Sequence, residues 1–274
     1  MSPSSTTARV LTVAGSDPVG GAGLQADLKT ITALGGHAMS AVTAVTVQDT
    51  VKLHDIMPMS ADMVAAQIRV LIADIGVDAI KSGMLVNASI VGALADVLSE
   101  EAADVTYVLD PVLASTSGER LLDEAATEVM VTRLLPRAAL VTPNIREAAM
   151  IARVEIANLD DVRKAAEAIL AKGARAVLVT GGHLADRVDG VDNVTDLLVT
   201  ADGPEGAVKF STKRIVSRST RGTGCTLSAA IATGLGQGRD LVESIEAARD
   251  FVRRAIENAP DLGSGDGPMG FGNK

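Results

Sequence analysis

The chain has no tryptophan and only four aromatic residues among 274: Tyr107, Phe210, Phe251 and Phe271. A flat ligand must therefore be enclosed by aliphatic groups, methionine or backbone, and base-stacking nucleic-acid modules are disfavoured. Cys225 is the sole cysteine, which forbids an internal disulfide. No Cys/His cluster has zinc-like spacing, and His37, His54 and His183 form no metal triad, which fits a reducing cytoplasm. No stretch approaches the roughly 18 uninterrupted apolar residues of a membrane span. The run Val10 to Ala14, behind a polar segment, is too short for a signal-peptide core. A net charge of −9 repels nucleic acid and anionic lipid, so phosphate affinity must be local. The expectation is a cytoplasmic protein acting on small molecules, without nucleic-acid or membrane partners.

Strand and helix signals alternate without a linker, so residues 1–274 read as a single α/β domain. Strands are expected at Val10–Ala14, Ala41–Val47, Ala79–Ser82, Thr106–Leu109, Ala139–Val141, Ala176–Thr180, Asp196–Val199 and Val208–Ser211. Helices are expected at Leu24–Leu34, Ala61–Ile75, Ile90–Leu98, Ala125–Leu134, after Pro143, and at Val162–Ala171, Thr226–Leu235 and Leu241–Ile256. This alternation predicts a mostly parallel sheet covered by helices on both faces, with ligands beyond the carboxyl ends of the strands. Gly15, Gln48, Gly83, Asp110, Asn144 and Gly181 all fall at such ends. Composition leaves open whether residues 1–8 and the glycine-rich end 263–274 fray or order beside a ligand.

Two glycine clusters carry the chemistry. In Arg221-Gly222-Thr223-Gly224-Cys225 a glycine turn opens a small-residue helix. Its first N–H groups and dipole suit a transferring phosphate, whereas the plainer reading is a tight turn with a buried cysteine. The second cluster, Gly15-Ser16-Asp17-Pro18-Val19-Gly20-Gly21-Ala22-Gly23, is neither a Walker A loop nor a dinucleotide fingerprint. Gly21 and Ala22 stand where the former needs lysine and Ser/Thr, and the glycine spacing of the latter is missing. Its low bulk lets a small substrate approach the backbone. Asp27 can accept from a substrate hydroxyl or amine, or simply complement its helix start.

The run AGSDPVGGAGLQADLKT from Ala14 to Thr30 is joined by Val47-Gln48-Asp49-Thr50, Lys81-Ser82-Gly83-Met84-Leu85 and Leu109-Asp110-Pro111-Val112. Thr142-Pro143-Asn144, Glu147-Ala148-Ala149, Gly181-Gly182-His183 and Arg221 to Ala230 follow. In this order they closely resemble bacterial hydroxymethylpyrimidine/phosphomethylpyrimidine kinases, a thiamine-biosynthesis branch of the ribokinase-like superfamily. The resemblance implies a three-layer αβα fold, a homodimer, and ATP- and Mg²⁺-dependent phosphorylation of 4-amino-5-hydroxymethyl-2-methylpyrimidine and then of its monophosphate. It also implies site roles. Gln48 pairs with the aminopyrimidine edge unless it is a solvated strand-end glutamine, and Gly15 and Asp27 line the same pocket. Met84 is an apolar wall or a core methionine. The N–H groups of Gly222, Thr223, Gly224 and Cys225 hold phosphoryl oxygens. Cys225, its thiol lowered by the helix start, takes the substrate proton, or only positions phosphate. Asp110 and Glu147 hold hydrated Mg²⁺, and Asn144, Glu147, Thr180, Gly182 and Arg221 meet the nucleotide. The alternative for residues 144 and 147 is a capping Asn144 and a surface Glu147.

Thr180 and Thr116 stand where the family commonly has lysine, and Leu113 replaces a frequent methionine. Arg221 or Lys213 is the candidate replacement for the missing phosphate contact. A pyridoxal kinase of the same superfamily and a binder that has lost turnover remain as alternatives.

Overall fold

The computed structural model describes residues 7–114, 121–181, 193–201 and 207–272. Gly182, His183 and Thr116 lie outside them. The strands run β1 (Arg9–Ser16), β2 (His37–Gln48), β3 (Leu53–Pro58), β4 (Ala79–Ser82), β5 (Thr106–Leu109), β6 (Leu140–Val141), β7 (Ala176–Val179), β8 (Asn193–Thr200) and β9 (Val208–Lys213). Among the described residues they form one sheet in the order β3-β2-β1-β4-β5-β6-β7-β8-β9. The stretch from β2 to β7 is parallel, while β3, β8 and β9 pair antiparallel at the two margins.

Alternation along each strand builds two cores. Leu11, Val13, Ile80, Leu109 and Val177 face α2 (Ala61–Asp74), α3 (Ala88–Glu100), α4 (Glu124–Val129), α5 (Ile145–Ala152) and α6 (Leu159–Leu170). Val10, Ala79, Val108 and Leu178 face α1 (Gly23–Ala33), α7 (Thr223–Gly236) and α8 (Leu241–Glu257). The central strands are thus buried on both faces, and the result is the expected three-layer arrangement. Strand order reverses between β1 and β4, where an α/β sheet opens a crevice for ligands.

Two local features differ from the sequence expectation, and a third answers what composition leaves open. β3 was not expected, because Leu53–Pro58 carries exposed His54, Asp55 and Met57 and ends in proline. Those residues suit the rim of a sheet, where one backbone edge meets solvent. The helix over 125–134 loosens after Val129 into a π-turn over 130–134 and then a short turn around Pro136. The glycine-rich end is built into the fold: Gly265 and Asp266 N–H groups donate to Thr50, Gly267 accepts from Arg221 N, and Gly270 N donates to Ala255 O.

Candidate active site

The two glycine clusters, about two hundred positions apart in sequence, touch each other. Gly23 opens α1 at φ +52°, and any Cβ there would strike the Gly15 carbonyl. Gly222, the residue before α7, sits at φ +76°, and its Cβ would strike the Gly21 carbonyl. Both positions combine left-handed backbone with a backbone neighbour, so only glycine fits. The closeness of these turns brings the start of α7 to the carboxyl end of β1.

Asp17 organises the loop. Its Oδ1 accepts from Val19 N at 3.0 Å, and its Oδ2 accepts from Gly21 N at 3.2 Å and Ala22 N at 2.8 Å. The same Oδ2 accepts from Arg221 Nε at 3.1 Å, and Arg221 Nη2 reaches on to Gln48 Oε1 at 2.6 Å. This corrects the expectation for Arg221, whose guanidinium is drawn to Asp17 and Gln48 at the Gly15 end of the cleft rather than toward the β7 end. Lys213 closes β9 on the far margin of the sheet and is exposed. Met84 lies over Gly15, with its carbonyl held by Thr43 Oγ1 at 2.7 Å, while Gln48, at the end of β2, is reached through Arg221.

Asp27 does not open on that space. It is fully buried, and its two oxygens accept from Lys81 Nζ at 3.0 and 2.9 Å, with Thr12 Oγ1 donating to Oδ2. The expectation that it accepts from a substrate is corrected: a buried lysine claims its lone pairs. Lys81 Nζ also stands 3.7 Å from Asp110 Oδ2, which takes a hydrogen bond from Ser228 Oγ at 3.1 Å. Burial by itself would lower the Lys81 ammonium, but the neighbouring carboxylates prevail and raise it, so the lysine stays charged.

At the start of α7, Gly224 faces open space, and among the described residues the Gly224 and Cys225 N–H groups have no acceptor. Those donors and the helix dipole make an anion seat. The Cys225 thiol is not lowered as expected. Burial pushes it up to about 12; the Lys81 charge and an N–H bond from Gly23 oppose this, while Asp110 and Asp27 add to it. Burial, more than any neighbouring charge, outweighs the local helix start.

At the other end of the cleft, Asn144 and Glu147 form a capping box at the start of α5. Asn144 Oδ1 accepts from Glu147 N, and Glu147 Oε2 accepts from Asn144 N at 2.9 Å. Glu147 is not a surface residue: it is buried and also accepts from Leu113 N at 3.2 Å. Burial and the nearby Asp110 push its carboxyl up to about 7 against these bonds. Thr180 N donates to Pro143 O, and Gly181 N donates to Asp196 Oδ1 at 2.8 Å. Asp196 is itself ion-paired with Arg249 on α8.

Sequence reasoning assigned no role to Asp17, Lys81 or Asp196. A lysine inside the apolar strand Ala79–Ser82 signals a buried acid partner, and an aspartate followed by proline and glycines signals a loop-organising turn. Asp196 carries no comparable local signal.

A mixed sheet lies between two helical layers, with an anion seat at the start of α7 beside the β1–α1 loop. The sequence model for phosphomethylpyrimidine kinase matches residues 17–270. A hydroxymethylpyrimidine/phosphomethylpyrimidine kinase of Streptomyces coelicolor is 44% identical over 98% of this chain and 96% of its own length. The pyridoxal kinase of Staphylococcus aureus in complex with ADP superposes with a TM-score of 0.87 at 34% identity, covering 97% of this chain and 94% of that one. A phosphomethylpyrimidine kinase of Clostridium difficile 630 gives 0.78 at 34%, covering 91% and 100%. The chain belongs to the phosphomethylpyrimidine kinase family.

Proposed function

We propose that this protein transfers the γ-phosphoryl group of ATP to the hydroxymethyl group of 4-amino-5-hydroxymethyl-2-methylpyrimidine, and then phosphorylates the monophosphate, as a cytoplasmic enzyme of thiamine biosynthesis. The observation that supports the reading is the contact between the two glycine turns, which brings the start of α7 to Gly21 and Gly15, with Arg221 just before α7 reaching Gln48. Gln48 meets the heterocycle edge and Met84 its face. The N–H groups around Gly224 and Cys225 stabilise charge on the transferring phosphoryl, and Cys225 Sγ receives the substrate proton. On this reading Asn144, Thr180 and Gly181 meet the nucleotide, and Gly182, also expected there, lies outside the described residues.

Mg²⁺ fits the remaining residues in part. Asp110 and Glu147 are hard oxygen donors whose ionisation burial disfavours, and Asp110 adds to that cost at Glu147, which a cation beside them would relieve. No group of three acidic, histidine or cysteine side chains among the described residues converges on one point, so water and phosphate oxygens would complete the shell. The ion would supply charge neutralisation to the phosphates. No helix among the described residues is long and apolar enough to cross a membrane. Exposed Val45, Val47 and Met57 on the β2–β3 margin support a homodimer.

Similarity to pyridoxal kinases favours a second reading in which pyridoxal is the substrate. ADP release measured with hydroxymethylpyrimidine, its phosphate and pyridoxal tests both. The pyrimidine should give the higher kcat/KM; a higher value for pyridoxal reverses the order, and no substrate-dependent ADP leaves only a binder.

A further inference from the structure

The Gln48 amide has two ends, and only one is engaged by the protein. Arg221 Nη2 donates to Oε1 at 2.6 Å, and a guanidinium has no acceptor, so the oxygen end of the amide must be the one turned toward it. Among the described residues, Nε2 of Gln48 has no acceptor, and the side chain is half-buried. Its N–H donors are thus left for a ligand.

Arg221 is held firmly enough to impose this orientation. Its Nε is fixed on Asp17 Oδ2 at 3.1 Å, and its backbone N donates to Gly267 O at 3.2 Å. Its Cδ and Pro268 both lie against Gly21. The segment that supplies Gly267 and Pro268 is tied to Thr50, two residues beyond Gln48, through Gly265 N and Asp266 N. One strap therefore fixes both ends of the Arg221–Gln48 link. Lysine could not replace the arginine, because a single ammonium head cannot reproduce the forked contact to Asp17 and Gln48.

Resting on the pyrimidine-kinase reading, we propose that Arg221 is a positioning residue for substrate choice: it locks Gln48 so that Nε2 is presented as a donor, selecting heterocycles whose facing edge carries a ring-nitrogen lone pair. Arg221 makes this selection through Gln48, without contacting the nucleotide phosphates.

The test compares the unaltered full chain with Arg221→Lys and Gln48→Glu. Initial rates are measured with varied hydroxymethylpyrimidine at saturating Mg·ATP, and with varied ATP at saturating pyrimidine. Calorimetric titration of the pyrimidine without ATP and thermal unfolding accompany the rates. Gln48→Glu keeps an acceptor for Arg221 but removes the donor. Both variants should unfold cooperatively, raise the pyrimidine KM and Kd by about tenfold, and leave the KM for ATP within about twofold. Arg221→Lys should also narrow the preference for the pyrimidine over pyridoxal. Should Arg221→Lys prove unstable, Gln48→Glu alone decides the donor question. Unchanged pyrimidine KM and Kd in folded variants, or a rise confined to the KM for ATP, would overturn the inference while leaving the function in place. No turnover of pyrimidine by the unaltered chain would remove the function and this inference together.

Discussion

Two aspartate–cation pairs flank the cleft, and water reaches them differently. Lys81 and Asp27 are both wholly buried, whereas Arg221 is 11% exposed beside an Asp17 that is 2% exposed. The closed pair has no face on which a ligand could act, so its contribution runs through what it holds: Thr12, Asp110 and the surroundings of Cys225. The open pair ends in the half-buried Gln48. Similar charge chemistry thus serves as scaffold in one place and, on the proposed reading, as recognition in the other.

The largest effect should come from breaking the closed pair. Lys81→Met leaves two buried carboxylates without their cation and should cost about 3 to 5 kcal/mol of stability in urea unfolding. Lys81→Met combined with Asp27→Leu should restore most of that loss, and an equal loss in the double variant would show that the pair itself is not the cause.

Cys225 stands in the field of the closed pair and, on the proposed reading, serves the transfer step. Cys225→Ala should lower kcat on the order of 100-fold with little change in substrate KM. Because the thiol is pushed up to about 12, its deprotonated fraction grows roughly tenfold per pH unit across the neutral and mildly alkaline range. The unaltered enzyme's kcat should therefore climb from pH 7 to 9, and this slope should vanish in Cys225→Ala; a flat profile in both would remove the base role.

Breaking the open pair should matter less for folding. Arg221→Met should cost about 2 kcal/mol, since Asp17 keeps its three backbone donors. A loss matching that of Lys81→Met would erase the distinction. The smallest effect belongs to a helix cap outside both pairs: Asn144→Ala should cost about 1 kcal/mol in the same unfolding experiment.

The layered fold was legible because strands such as Ala79–Ser82 and Ala176–Val179 are buried on both faces and stand between amphipathic helices. β3 was not, since an exposed edge strand carries polar residues on both faces and no alternating pattern. Glycine chemistry was legible for the same local reason: Gly222 and Gly23 announce turns whatever they pack against. Which charges those turns would meet was not. Asp27 reads from its own helix as a free carboxylate, and only the pairing of β1 with β4 shows that Lys81 lies opposite. The Cys225 thiol follows the same rule, because a helix start can be read from neighbours in sequence while the burial that raises the thiol comes from packing between distant segments. Arg221 was assigned to phosphate by its place in the motif, yet its direction is set by Asp17.

The central claim is that the seat at the start of α7 delivers a phosphoryl group to an alcohol held beside Gln48. Phosphorus NMR of the unaltered protein with Mg·ATP and hydroxymethylpyrimidine tests it most directly. The account predicts a phosphomonoester signal growing in step with ADP, and slowed by roughly 100-fold in Cys225→Ala. ADP and inorganic phosphate appearing without any phosphomonoester would contradict it.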